Sequence, residues 1–290
     1  MLHFRKYHGL GNDYLIPTQA QYATPEVVDE TLVRKVCDPH YGLGSDGILY
    51  GPYSPDTAFF QRLGIQEARY AFRILNPDGS EAEKSGNGVR IFCRYLFDCG
   101  LVALQEEFTL ATLGGPIRCR VENPETAIRA EMGRLSFDSE VIPVVGPHRE
   151  VIREKIVILG EELEYCAVTI GNPHCVVPCP QGISKELACH FGPAIEREPR
   201  FPHRTNVQFI APVDRHLLRA EIYERGAGYT LASGTSACAC AAVAVKLGWC
   251  DSPVTVQMPG GELTIQLTED FAATQCGPVH LIYEADYLDA

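Results

Sequence analysis

Along the 290-residue chain, hydrophobic and polar positions fall mostly into short alternating or apolar runs bounded by Gly and Pro, which is the pattern of strands. Residues 4–17 read as a strand, a Gly-rich turn and a second strand. Further strands are expected at 48–50, 69–75, 107–113, 117–121 and 128–137. Later ones follow at 157–158, 166–170, 176–177, 206–210, 216–223, 254–258, 263–267 and 279–283. Helical spacing is rarer. Residues 25–37 predict a helix with Thr24 as N-cap and Pro25 in its first turn. Two strongly apolar helices stand out, 89–101 closed by Gly100 and 237–247 ended by Gly248. The Pro- and Gly-containing stretch 140–147 suits a crossover.

The two apolar helices are introduced alike. Lys84-Ser85-Gly86-Asn87-Gly88 leads into the first and Ala232-Ser233-Gly234-Thr235-Ser236 into the second, about half the chain apart. A duplicated α/β half accounts for this; because Ser is a favoured N-cap, two independent caps also account for it. A helix N-terminus exposes unpaired N–H groups and about half a unit of positive charge, so it attracts a carboxylate. Two such termini facing one carboxylate across a domain cleft would place one side chain on each face of the adjacent carbon. That is the geometry of proton removal on one side and return on the other.

Composition narrows the classes. A net charge of −12 argues against a broad surface for nucleic acid or anionic membrane. No run approaches the ~18 apolar residues of a membrane span, and residues 1–9 lack a signal-peptide pattern, so a cytoplasmic protein is expected. Twelve cysteines are spread along the chain, mostly beside apolar or small residues, and are expected to be reduced. The pairs Cys175/Cys179 and Cys238/Cys240 complete no zinc set, even with His174 adjoining, and no metal is expected. Gly42-Leu43-Gly44-Ser45-Asp46-Gly47 matches a dinucleotide fingerprint in letters only, because the β-like Ile48-Leu49-Tyr50 follows where a helix is needed.

Seven stretches in order carry a resemblance. They are His8-Gly9-Leu10-Gly11-Asn12-Asp13-Tyr14, Asn76-Pro77-Asp78-Gly79-Ser80-Glu81 and Ser85-Gly86-Asn87-Gly88-Val89-Arg90, then Gly171-Asn172-Pro173-His174 and Arg204-Thr205-Asn206-Val207. Tyr223-Glu224-Arg225-Gly226-Ala227-Gly228-Tyr229-Thr230 and Ser233-Gly234-Thr235 complete the set. Together they span the chain from about residue 3 to about 284, and the sequence resembles the diaminopimelate epimerases. The resemblance implies an α/β protein of two pseudo-symmetric domains, each a curled mixed or antiparallel sheet around a central helix. The expected domains are 1–133 plus 277–290, and 134–276, with an amino-acid site in the cleft between them. It implies that Asn12, Asn76, Asn172, Asn206, Glu224 and Arg225 bind the remote amino-acid end of the substrate. The backbone amides of Gly86, Asn87, Gly234 and Thr235 would hold the carboxylate at the reacting carbon. His174 and Glu224 would flank the acid/base positions.

Those positions hold Ser85 and Ser233, where the resembled family has two catalytic cysteines. A thiol near pKa ~8.5 is readily ionised at a helix terminus, whereas a serine used as a base needs a partner to take its proton. Three accounts stand: Cys→Ser replacements in an epimerase, a divergent racemase, epimerase or dehydratase that uses serine, or an amino-acid-binding protein without proton transfer. The expected function is cofactor-independent stereo-inversion at the α-carbon of an amino acid, diaminopimelate or a close analogue, as in lysine biosynthesis. No pyridoxal phosphate is implied, since no lysine is placed by motif for a Schiff base. The partner is a small amino-acid substrate; neither nucleic acid nor membrane is expected, and a homodimer fits the resemblance.

Overall fold

The computed structural model describes residues 1–288 and divides into two units. The first comprises Met1–Glu131 with the chain from Cys276 onward, and the second Met132–Gln275. The chain opens with β1 (Leu2–Gly9) and β2 (Asn12–Pro17), an antiparallel hairpin whose turn residues Leu10 and Gly11 both have positive φ. Short α1 (Ala20–Ala23) and α2 (Glu30–Cys37) lead to β3 (Ile48–Tyr53), α3 (Ala58–Leu63), β4 (Tyr70–Leu75) and β5 (Glu81–Ala82). Then come α4 (Gly86–Asp98), β6 (Glu107–Thr112), β7 (Gly115–Asn123) and β8 (Ala127–Arg134).

The second half runs β9 (Glu154–Ile158), β10 (Glu161–Thr169), β11 (Pro173–Pro178), α5 (Lys185–Glu196), β12 (Asn206–Pro212), β13 (Leu217–Glu224) and β14 (Gly228–Thr230). It continues with α6 (Gly234–Lys246), β15 (Val254–Met258), β16 (Gly261–Leu267) and β17 (Ala272–Gly277). Finally β18 (His280–Tyr287) pairs antiparallel with β1 in the first unit.

The duplication is explicit in the pairing. β1–β2 and β10–β11 are antiparallel, and β2–β3 and β11–β12 parallel. β3–β4–β5 and β12–β13–β14 are antiparallel meanders. β4–β6 and β13–β15 are parallel, and β6–β7 and β15–β16 antiparallel. A parallel pair cannot be joined by a tight turn, so β4–β6 and β13–β15 cross over through the apolar helices α4 and α6, while β2–β3 and β11–β12 cross over through α1–α2 and α5. Residues Ala237–Ala244 of α6 are all fully buried, and their small side chains let strands β10 to β13, β15 and β16 close around the helix. In the first unit, α4 is central to a cluster that includes Tyr7, Tyr14, Phe72, Phe92 and Leu96.

Two expectations are corrected. The helix expected at 25–37 with a Thr24 cap begins only at Glu30, because the Asp29 carboxylate accepts from the N–H groups of Thr31 and Leu32 and so fixes the start there. The apolar helix expected from 89 begins at Gly86, which brings the whole Gly86-Asn87-Gly88 stretch into its first turn. Helix α5 was absent from the periodic reading. All twelve cysteines are free.

Candidate active site

Each unit builds one helix terminus of the same kind. In the first, Ser85 caps α4 in extended conformation, and its Oγ accepts from Gly88 N–H at 3.1 Å. A Cβ on Gly88 would come within 3.2 Å of Ser85 Cβ and Oγ, so glycine lets the cap close tightly. The same Oγ accepts from the Tyr14 hydroxyl at 3.3 Å. In the second unit Ser233 caps α6, also extended, and accepts from Ser236 N–H at 3.4 Å. Thr235 Oγ1 lies 3.5 Å from Ser233 Oγ. Gly86 and Asn87, like Gly234 and Thr235, occupy the first turns, where backbone N–H groups lack intrahelical acceptors.

Around α4, Asn87 Nδ2 donates to Asn12 Oδ1 at 3.4 Å, and Asn12 Nδ2 donates to Asp46 at 2.9 Å. Buried Arg90 donates to Asn87 Oδ1 at 2.7 Å and orients that amide. Ser85, Gly86, Asn87 and Asn12 are therefore one assembled group. Asn76 is held by its own turn, where its Nδ2 donates to Ser80 Oγ at 2.9 Å. His8 accepts from Gly11 N–H at 3.3 Å and stacks near His280; burial and that neighbour lower its pKa, and it serves the hairpin turn.

In the second unit His174 and Asn206 sit opposite each other on parallel strands. His174 Nε2 and Asn172 Oδ1 are 3.0 Å apart. Asn206 Nδ2 donates to the Pro173 carbonyl and its Oδ1 accepts from Arg225 N–H, each at 3.0 Å. Asn172, His174, Asn206 and Arg225 thus form a second group. The Arg225 guanidinium donates to the His203 carbonyl at 2.9 Å. Complete burial, opposed by Gln208 and assisted by the nearby Arg225 charge, pushes the His174 pKa down to about 3. The imidazole is neutral at physiological pH, and its Nδ1 has no hydrogen-bond partner among the described residues.

Glu224 ends β13. Its carboxylate accepts from Thr230 Oγ1 at 3.3 Å, and burial raises its pKa while the hydroxyls of Ser233 and Thr230 pull it down. A carboxylate of raised pKa against a serine hydroxyl is the partner that a serine base requires. Tyr14, Thr230 and the buried pair Gln208–Ser236, joined at 3.0 Å, are the polar members to which the sequence reading gave no role. Tyr14 and Thr230 lay inside the quoted motifs, but only the fold brings them to Ser85 and Glu224.

Two other features stand apart from these groups. A pocket lined by Arg219, Glu221, Gln257, Met258 and Glu262 includes none of the site residues. Asp138, Glu140 and His148 could share a metal ion by distance alone, but His148 Nε2 is bonded to Asp138 at 2.8 Å on the surface, an ordinary ion-pair arrangement. No helix among the described residues is long and apolar enough to cross a membrane.

The duplicated architecture is that of a class of racemase- and epimerase-like folds. A hydroxyproline epimerase from Agrobacterium vitis superposes with a TM-score of 0.68 at 15% identity, covering 98% of this chain and 90% of that one. A Bacillus anthracis phenazine biosynthesis protein of the PhzF family gives 0.68 at 16% identity, covering 99% of both chains. At such identities the likeness is one of fold. Within that class the sequence matches the family described as Diaminopimelate epimerase over residues 4–137 and 166–282. Diaminopimelate epimerase 2 of Nostoc sp. is 49% identical over 268 residues, 92% of this chain and 89% of that protein. The diaminopimelate epimerase of Desulfitobacterium hafniense is 37% identical over 288 residues, 98% and 97% of the two chains. The chain belongs to the diaminopimelate epimerase family, a family of isomerases.

Proposed function

We propose that this protein inverts the configuration at an α-carbon of diaminopimelate by proton transfer through Ser85 and Ser233, without a cofactor. The observation that supports this most is that each copy of the duplicated fold carries the same polar device, a serine cap on a buried helix N-terminus. Stereo-inversion needs one group to take the α-proton and a second to return one to the other face, and one position from each unit meets that need. Backbone N–H groups of Gly86, Asn87, Gly234 and Thr235 and the positive ends of α4 and α6 suit the substrate carboxylate, which gains charge as the α-proton leaves.

Glu224 acts as the acceptor for the Ser233 proton when Ser233 works as a base. His174, neutral and buried, positions Asn172 and takes no proton near neutrality. Arg225 and the amides of Asn12, Asn76, Asn172 and Asn206 match the charged and polar atoms of the distal amino-acid end. Lysine biosynthesis in the cytoplasm is the setting this reading implies, with a homodimer as the assembly that light scattering tests.

The test is incubation with LL-diaminopimelate and with a panel of L-amino acids in D2O, following deuterium at the α-carbon. Exchange into diaminopimelate by the native chain is expected. Exchange only by a Ser85→Cys/Ser233→Cys variant would mean that the pocket is intact but the serines do not work as catalysts. Silence from both folded proteins would overturn the substrate assignment.

A further inference from the structure

Although both serines are N-caps, their surroundings differ in the sign of what they offer. Ser85 Oγ receives two donors, Gly88 N–H at 3.1 Å and the Tyr14 hydroxyl at 3.3 Å. A hydroxyl oxygen has two lone pairs and one proton, so with both lone pairs occupied Ser85 can present its own proton outward. Tyr14 is 5% exposed, and Gly47 packs so closely that a Cβ there would lie 2.8 Å from its ring. Across the hairpin its register partner is Tyr7, fixed by a 2.9 Å bond to Asp98. The phenol is therefore locked in place, whereas a surface hydroxyl would be free to turn elsewhere. Ser233, by contrast, has a carboxylate beside it, that of Glu224.

We propose that Tyr14 is a positioning residue which makes Ser85 the proton-donating member of the inversion, with the Glu224-assisted Ser233 as the proton-accepting one; this rests on the function proposed above. In the step, the Ser85 O–H bond breaks as its proton forms the new α-carbon C–H bond. The Tyr14 O–H proton passes to Ser85 Oγ, leaving a phenolate that is reprotonated by water. In the reverse direction the phenolate takes the Ser85 proton while Ser85 takes the α-proton. At the other terminus the Glu224 carboxylate receives the Ser233 proton as Ser233 accepts from carbon. A phenol near pKa ~10 gives up its proton far more readily than a serine does, so the relay avoids a free alkoxide.

Activity in the donating direction then requires the Tyr14 hydroxyl to carry its proton. The titratable groups that share the buried cluster of Tyr14 are Tyr7 on β1, Cys93 and Tyr95 on α4, and Cys119 on β7; Asp98 of α4 is bonded to Tyr7, and Arg90 to Asn87. Its strand neighbour Asp13 is tied to Lys6 and Asp46.

Four variants test the idea. Tyr14→Phe keeps the ring and is expected to lower kcat by ~10² with KM little changed, and to abolish the basic limb of the kcat/KM profile. Placing 3-fluorotyrosine at position 14 restores activity and moves that limb to lower pH. An unchanged kcat and an unmoved limb would overturn the proposal. If the parent exchanges no diaminopimelate, the functional reading itself has failed, and a measurement independent of turnover decides the role of the phenol. In the Ser85→Cys background, iodoacetamide alkylation at position 85 is followed by peptide mass spectrometry. Adding Tyr14→Phe is expected to slow it several-fold at neutral pH, because the thiolate loses a donor. Equal rates would overturn the contact's role.

Discussion

Burial of His174 makes the protein's stability depend on pH in a way that one substitution isolates. The imidazole has 0% exposure, and burial holds its pKa at about 3 in the folded chain. In the unfolded chain it titrates near the ordinary ~6.5. Between those values the unfolded state binds a proton that the folded state refuses, so stability is full above pH ~6.5 and is lost as pH falls towards 3. Going from pH 7 to pH 5, the proton stabilises the unfolded state by about 2 kcal/mol more at the lower pH. His174→Gln retains a polar side chain facing Asn172 and removes this titration. Urea denaturation at pH 7 and pH 5 measures it: the parent should lose about 2 kcal/mol more than the variant over the interval. Carboxylates such as Glu224, whose pKa is raised, contribute equally to both proteins and cancel in the difference. Equal pH dependence in the two proteins would refute a neutral, buried His174.

Other consequences are as direct. Glu224→Gln should lower kcat by ~10² with a smaller change in KM, and should abolish the acidic limb of the rate profile, because the carboxylate must be ionised to receive the Ser233 proton. Gly192→Ala should destabilise the second unit by about 1–3 kcal/mol in urea melts, since a Cβ there would lie 2.6 Å from Tyr223 Cγ. Asp29→Ala should cost about 1 kcal/mol of stability by uncapping α2, with no change in activity.

What the sequence displayed and what it concealed divide along physical lines. Most strands were legible because period-2 alternation and Gly/Pro boundaries are local signals, though β5, β14 and β17 were missed, and both central helices were legible from their apolar content. The start of α2 was misplaced because Thr24-Pro25 imitates a cap, while the carboxylate that decides the start is Asp29. Helix α5 was hidden by Pro193 and Gly192 in its interior. Pro193 lacks the N–H of an ordinary helical residue, a local signal against a helix, whereas Gly192 is required by the Tyr223 ring, which only the tertiary structure reveals. The parallel pairing of β11 with β12 demands a crossover there, but pairing is not a local property.

At the site, the motif residues were readable as types but not as partners. Asn12 meets Asn87 across 75 positions and Arg225 meets Asn206 across 19, contacts that no spacing rule reaches. The Tyr14–Ser85 bond spans 71 positions and was invisible for the same reason. His174 was readable as a pocket histidine, but its neutrality follows from burial, which only the packed strands reveal.

The central claim is that two serines transfer protons at one carbon, one taking and one giving. It is tested most directly by starting from LL-diaminopimelate in D2O and following the first turnovers by NMR and chiral chromatography. The account predicts that newly formed meso product carries α-deuterium while the remaining LL substrate keeps its α-proton, and that Ser85→Ala or Ser233→Ala alone stops inversion. Deuterium entering substrate and product equally from the first turnovers would mean that a single group handles both faces, and would contradict it.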